Sequence, residues 1–160
     1  MMTVRFLVVG RLKESYLSEA VAEYQKRLSR YARPEWVEIE DERIPDSPSE
    51  GEKQAVLEAE GNRILAKIPK DAHVVTLEIE GREMTSPEFA DFFGKLAIYG
   101  TSRIVFVIGG SLGLSAEVKK RADLALSFSR MTFPHQLMRV ILIEQVYRAF
   151  SILNHTEYHK

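Results

Sequence analysis

Three short segments of the chain are apolar at almost every position. They are TVRFLVV (Thr3–Val9), HVVTLEI (His73–Ile79) and RIVFVI (Arg103–Ile108). A strand is apolar at consecutive positions only where both of its faces are covered. Stretches long enough for helices separate these segments, so the pattern predicts a mostly parallel sheet with helices on each face. The expected fold class is α/β, a three-layer sandwich.

Periodicity and turn residues divide the rest of the chain into alternating strands and helices. Strands are expected at Thr3–Val9, Trp36–Glu40, His73–Ile79, Arg103–Ile108 and Leu124–Phe128. Helices are expected from Ser15 to about Tyr31, Glu50 to about Lys67, Ser86 to about Ile98, after Ser115, and from about Gln136 to Leu153. Ser15 and Ser86 are expected to cap their helices, and Glu80-Gly81 to turn the chain. With no repeat and no linker, residues 1–160 are expected to form a single domain.

Composition excludes several classes of site. The 160 residues contain no cysteine, which removes disulfides and thiolate metal ligands, and the four histidines lack the spacing of a zinc motif. No metal is therefore expected. The apolar run near the first residue is too short for a signal peptide or a membrane span, so we expect a soluble cytoplasmic protein with no membrane partner.

Charge is distributed unevenly although the formal net charge is only −1. The segments 1–33 and 101–160 are basic, whereas 34–60 is strongly acidic. If the two ends meet in space or across a dimer, a nearly neutral protein presents a basic face. An ordinary mixed surface is the other interpretation.

A glycine loop, Gly109-Gly110-Ser111-Leu112-Gly113, follows the strand at Arg103–Ile108. The carboxyl ends of parallel strands are the usual ligand position in open α/β sheets, and glycine lets a ligand approach the backbone. The loop matches neither the dinucleotide nor the nucleoside-triphosphate motif. A tight strand-to-helix turn therefore remains an equal alternative.

The last helix carries one arginine on its apolar face. At about 100° per residue, Arg139 falls among Leu142, Ile143, Val146 and Phe150, and in the first turn it opposes the helix dipole. It needs an anion, either an Asp or Glu at the edge of the core or the carboxylate or phosphate of a ligand. The large apolar area of this helix predicts a homodimer.

Two further features of the C-terminal region involve charged and aromatic residues. Glu144 and Arg148 are spaced as a favourable i,i+4 ion pair. The tail, Asn154–Lys160, contains His, Tyr and Lys, which bind phosphate and stack on bases. Neither feature alone assigns a function.

Several of these segments together resemble a known family over essentially the whole chain. They are VVGRLKESY (Val8–Tyr16), VTLEIEGRE (Val75–Glu83), VIGGSLGL (Val107–Leu114), LSFSRMTFPHQLMRVILIEQVYRAFSI (Leu126–Ile152) and EYHK (Glu157–Lys160). They are similar to the RlmH family, small bacterial methyltransferases of large-subunit ribosomal RNA. The resemblance implies a SPOUT-type fold with a C-terminal trefoil knot and a homodimer. It also implies methyl transfer from S-adenosylmethionine to N3 of a pseudouridine in 23S rRNA, on the ribosome or its RNA.

The resemblance also implies roles for individual residues. The cofactor-binding set is Leu77, Gly109, Gly110, Phe128, Ser129, Arg130, Met131, Thr132 and Phe133. The catalytic set, expected to position the base, is Arg139, Tyr158 and His159, and the further RNA-binding set is His135, Arg148 and Lys160. The proton acceptor is left open among His135, His159, Glu144 and water, and the tail of one chain is expected to complete the site of the other. The alternatives are a SPOUT-fold tRNA methyltransferase and a non-catalytic nucleotide-binding protein.

Overall fold

A computed structural model describes residues 1–160 and shows five strands and five helices in strict alternation. The strands are β1 (Thr3–Val9), β2 (Arg33–Ile39), β3 (His73–Glu83), β4 (Arg103–Ile108) and β5 (Leu124–Ser127). The helices are α1 (Ser15–Leu28), α2 (Glu50–Leu65), α3 (Ser86–Ile98), α4 (Ala116–Arg121) and α5 (His135–Leu153).

The five strands form one all-parallel sheet in the order β2-β1-β4-β3-β5. The two most apolar strands, β1 and β4, lie side by side inside the sheet. Phe6 of β1 pairs in register with Trp36 of β2 and Phe106 of β4, and its ring stacks on both at 4.5 and 6.0 Å between centroids. The predicted α/β class and the parallel sheet are confirmed.

Alternate residues of the central strands belong to two separate cores, one on each face of the sheet. Val4, Phe6 and Val8 pack with α1, α3 and α5, whereas Leu7 and Val9 pack with α2 and α4. Because both faces are buried, the middle of β1 and of β4 is almost entirely apolar. The result is the predicted three-layer sandwich.

The apolar face of α5 is covered by the protein's own sheet. The helix lies between α1 and α3, and its buried residues include Leu142, Ile143, Val146 and Phe150. Leu137 and Leu153 are 37% and 36% exposed, and several other apolar residues of the helix are only partly buried. A large part of the apolar area from which the sequence predicted a homodimer is therefore buried within one chain, and the dimer stays a prediction.

The predicted turn at Glu80-Gly81 is wrong, because β3 continues to Glu83. The strand is irregular there, since Leu77 and Arg82 both pair with Leu126 of β5. A side chain on Gly81 would place its Cβ 2.7 Å from the backbone of Ala125. Close contact between two strands, and not a chain reversal, requires the glycine.

Two predicted helix caps are also wrong by one residue. The cap of α3 is Thr85, which accepts the N–H of Glu88 while Glu88 accepts the N–H of Thr85. Glu14 stands at the cap position of α1 and makes no side-chain cap bond, so Ser15 is already helical. Ser115 does cap α4, through the N–H of Val118.

Candidate functional site

A cleft of about 600 Å³ opens at the carboxyl ends of β3, β4 and β5. Three segments distant in sequence form its walls: residues 77–80, 108–114 and 126–133, the last with gaps at Ser127 and Arg130. The start of α5 and Lys119 of α4 complete it. Both the volume and the position at this edge of the sheet are typical of small-molecule sites.

The cleft brings together most of the residues predicted to bind a cofactor. Its walls include Leu77, Gly109, Gly110, Phe128, Ser129, Met131, Thr132 and Phe133. Arg130 is exposed and does not line the cleft. Of the remaining predicted site residues only His135 lies in the wall; Arg139, Arg148, Tyr158, His159 and Lys160 do not.

The glycine loop folds back on itself. Gly113 donates its N–H to the carbonyl of Gly110 at 3.0 Å and has a φ of +89°, a left-handed conformation that favours glycine. A Cβ on Gly109 would lie 2.5 Å from the carbonyl oxygen of Gly113. The tight-turn interpretation is therefore confirmed, and the same compact turn forms one wall of the cleft.

Segment 128–133 offers the cleft both apolar surface and unpaired backbone donors. The hydroxyl of Ser127 donates to the carbonyl of Ser129, and the hydroxyl of Ser129 accepts the N–H of Met131, which shapes the segment. The N–H groups of Thr132 and Phe133 make no hydrogen bond within the chain. Met131 is 74% exposed, an unusual position for a methionine.

Three charged residues that the sequence did not single out also line the cleft: Glu78, Glu80 and Lys119. Glu78 accepts the hydroxyl of Thr76 at 2.6 Å and lies 3.7 Å from the ammonium of Lys119. In the sequence Glu78 is an ordinary polar residue of a strand, and Lys119 lies in a short charged helix. Only the fold shows that they face the cleft.

His135 begins α5 at the wall of the cleft. Burial lowers the pKa of its imidazole, and the nearby Arg139 guanidinium lowers it further, whereas Asp41 opposes both effects. Its neutral form, which can accept a proton, is therefore favoured at neutral pH.

Arg139 is 2% exposed and forms an ion pair of 2.8 Å with Glu38. It also donates to the carbonyls of Val9 and Gly10, at 3.2 and 3.0 Å. Of the two partners left open by the sequence, the structure shows the carboxylate at the edge of the core. Arg139 joins the start of α5 to the ends of β1 and β2, behind the cleft.

A tail cluster of Glu144, Arg148, Tyr158 and His159 orders the C-terminal residues against α5. Arg148 donates to Glu144 at 3.2 and 2.6 Å, which confirms the predicted pair, and the hydroxyl of Tyr158 donates to the same carboxylate at 2.8 Å. The guanidinium of Arg148 lies 4.8 Å from the ring centroid of Tyr158 and 3.1 Å from Nδ1 of His159. The hydrogen bond to Glu144 raises the pKa of Arg148, and burial followed by that same carboxylate raises the pKa of Tyr158.

The tail cluster is remote from the cleft within one chain. Glu144 and Arg148 follow His135 by nine and thirteen residues on α5. At the helical rise per residue these separations correspond to about 13 and 20 Å along the axis. Within one chain, the predicted site residues of the cleft wall and those of the tail cluster therefore form two separate groups.

None of the helices combines the length and apolar character needed to cross a bilayer. No cluster of three or more His, Asp or Glu side chains is arranged to hold a metal ion.

Comparison with known proteins gives matches over the full length. The family model described as "Predicted SPOUT methyltransferase" matches residues 2–159. The chain is 55% identical over 159 residues to the "Ribosomal RNA large subunit methyltransferase H" of Bacillus pumilus, covering 99% of this chain and 100% of that protein. It is 53% identical, with the same coverage, to a protein of Methanococcus maripaludis named "Putative ribosomal RNA large subunit methyltransferase H".

One solved structure shares the fold at low sequence identity. It is described as a probable methylase family protein from Haemophilus influenzae. The two superpose with a TM-score of 0.56 at 14% identity, over 98% of this chain and 70% of that one. The likeness supports the architecture of sheet and helices alone.

Proposed function

The chain belongs to the SPOUT methyltransferase family, and from this membership we propose that it methylates N3 of a pseudouridine in 23S rRNA, with S-adenosylmethionine as the donor. The observation that carries the proposal is the convergence of segments 77–80, 108–114 and 126–133 on one cleft. Full-length relatives named as large-subunit ribosomal RNA methyltransferases support the choice of RNA. The trefoil knot at the C-terminal part is proposed on the same family membership.

The residues of the cleft fit S-adenosylmethionine. Leu77, Phe128 and Phe133 offer apolar surface for an adenine ring, and the unpaired N–H groups of Thr132 and Phe133 suit its polar edge. Glu78 and Lys119 provide opposite charges for a ligand that carries a sulfonium, an ammonium and a carboxylate. When bound, this cofactor supplies an electrophilic methyl group and needs no metal.

The N3–H of the pseudouridine must lose its proton, and we propose His135 as the acceptor. Among the three candidates His135 alone lines the cleft, and its lowered pKa keeps the ring neutral. The carboxylate of Glu144 is already bonded to Arg148 and Tyr158. His159 lies against the Arg148 guanidinium in the tail cluster, outside the cleft wall.

We propose that the tail cluster of a second copy completes the cleft. Within one chain Tyr158 and His159 are held rigidly on α5 but away from the cleft wall. In a homodimer Arg148, Tyr158, His159 and Lys160 of the second copy would position the base, while Arg139 acts indirectly by fixing α5. Exposed apolar side chains near the cleft, Ile79 and Met131, support a contact of this kind.

A basic patch beside the tail cluster supports RNA as the partner. Lys26 and Arg27 of α1, with Arg30 just after the helix, surround Tyr147, whose ring centroid lies 4.7 Å from that of Tyr158. Cationic and aromatic side chains in one surface bind phosphates and unstacked bases. The three cations of this patch belong to segment 1–33, which the sequence analysis identified as basic.

A ribosomal RNA substrate also implies a location, and we propose that the protein is cytoplasmic.

Transfer of labelled methyl groups tests the substrate. Purified protein is incubated with labelled S-adenosylmethionine and, separately, with free 23S rRNA, large subunits, assembled ribosomes and tRNA. Labelling of a large-subunit substrate is expected, and labelling of tRNA alone would favour the tRNA methyltransferase. Calorimetry tests the cofactor: binding of ATP but not of S-adenosylmethionine would favour the nucleotide-binding protein.

A further inference from the structure

Glu60 of α2 is a buried carboxyl group with no part in the proposed reaction. It is 5% exposed, and its Oε2 accepts a single hydrogen bond, from the backbone N–H of Glu42 at 2.9 Å. Burial raises its pKa, the neighbouring Asp41 and Glu42 add to the rise, and the N–H of Glu42 and the Arg63 guanidinium oppose it. A buried carboxyl group with one partner is costly, so its presence needs an explanation.

The other oxygen of Glu60 faces the glycine loop. A Cβ on Gly110 would lie 3.2 Å from Oε1 of Glu60 and 3.2 Å from a methyl group of Val9. The side of Gly110 on which a Cβ would stand is therefore packed against the carboxyl group. Gly110 is a wall residue of the cleft, whereas no residue of α2 is.

The next residue of α2, Gly61, packs against Ser115, which lies two residues beyond the glycine loop. A Cβ on Gly61 would overlap the hydroxyl of Ser115 and lie 3.1 Å from its Cβ. Ser115 is buried and caps α4 through the N–H of Val118 at 3.3 Å. Two consecutive residues, Glu60 and Gly61, thus contact the two ends of the segment 110–115.

We propose that Glu60 is a positioning residue, which holds the glycine loop in place from behind and so sets the affinity of the cleft for its ligand. The claim that Glu60 sets the affinity for S-adenosylmethionine rests on the proposed function. The claim that Glu60 holds the loop in place rests on the packing alone. Glu60 touches no ligand and acts through Gly110.

Hydrogen exchange without any ligand tests the loop. Glu60→Ala removes the support, Glu60→Gln keeps its shape and an acceptor for Glu42, and Val56→Ala is the control, since Val56 is equally buried one turn earlier on α2. In Glu60→Ala the amides of residues 109–113 should exchange about tenfold faster relative to the β1 and β4 amides. Val56→Ala should raise the rate of amide exchange without a larger effect at residues 109–113 than in β1 and β4. Equal behaviour of the two alanine variants would overturn the proposal.

Calorimetry with S-adenosylhomocysteine tests the effect on binding. Glu60→Ala should weaken binding about tenfold, with Glu60→Gln and Val56→Ala within about twofold of the wild type. Gly110→Ala should weaken binding less in the Glu60→Ala background than alone, because the added methyl group no longer meets the carboxyl group. If the wild type binds but Glu60→Ala binds equally well, the positioning role is wrong. If the wild type itself does not bind, the proposed cofactor is wrong, and hydrogen exchange still decides the role of Glu60.

Discussion

The guanidinium of Arg139 and the carboxylate of Glu38 lie 2.8 Å apart, joining the first turn of α5 to the end of β2. Arg139 is almost fully buried, and its second nitrogen donates to the carbonyls that end β1. Glu38 also accepts the N–H of Leu12, so one ion pair fixes three chain segments. An arginine that is conspicuous on an apolar helical face is thus explained by the packing of its own chain.

Replacing Arg139 by Met should destabilise the protein by about 3 kcal/mol, because Glu38 loses its partner and two backbone carbonyls lose a donor. Urea unfolding monitored by circular dichroism measures this change. Glu38→Gln should cost less, since Glu38 is 42% exposed and the amide still offers an acceptor oxygen. Full stability of Arg139→Met would contradict this structural role.

Replacing Gly81 by Ala should destabilise the protein by about 1–3 kcal/mol, because the new methyl group would meet the backbone of β5. Gly51→Ala is the matched control: a Cβ there meets nothing closer than 3.9 Å, and helix propensity predicts no loss or a gain of up to about 1 kcal/mol. Thermal unfolding of both variants is the measurement. A stable Gly81→Ala would show that β3 and β5 are not in close contact at this point.

The pH dependence of kcat/KM should show an acidic limb that depends on His135. Because the folded protein lowers the pKa of this imidazole below its ordinary 6.5, the neutral form persists to lower pH, and activity should decline only below that value. His135→Asn should reduce kcat by about 100- to 10,000-fold and abolish the limb, while S-adenosylhomocysteine still binds. An unchanged limb in His135→Asn would assign the proton to another acceptor.

Complementation between two inactive variants should reveal a site shared by two chains. Phe133→Asp disables the cleft, and deletion of residues 156–160 removes the tail without touching the cleft. If the tail acts across a dimer, co-folding equal amounts should restore about a quarter of wild-type activity, since half of the dimers contain one intact site. No recovery, from variants that both dimerise, would indicate that the tail acts within its own chain.

The sequence predicts the architecture well because its signals are local and strong. Strands such as β1 and β4, apolar on both faces, have few alternatives to the interior of a parallel sheet. Gly81 shows the limit: glycine permits a turn, but it also permits two strands to approach closely, and only the tertiary pairing with Ala125 distinguishes the two.

The site is predictable only in part, because some of its residues acquire their neighbours only through the tertiary fold. The glycine loop and segment 128–133 follow strands directly, so their convergence follows from a parallel sheet. Glu78, Lys119 and Glu60 have no such signature, since each is an ordinary charged residue until the fold gives it a neighbour. Arg139 was conspicuous in the sequence, yet choosing between Glu38 and a ligand required the structure.

Mass spectrometry of the nucleosides from the modified RNA tests the proposed reaction most directly. Large subunits that lack the modification are incubated with the protein and S-adenosylmethionine carrying a deuterated methyl group, and the 23S rRNA is then digested to nucleosides. A single labelled product that co-elutes with N3-methylpseudouridine is expected. A label on any other nucleoside, or none in 23S rRNA while tRNA is labelled, would contradict the proposed reaction.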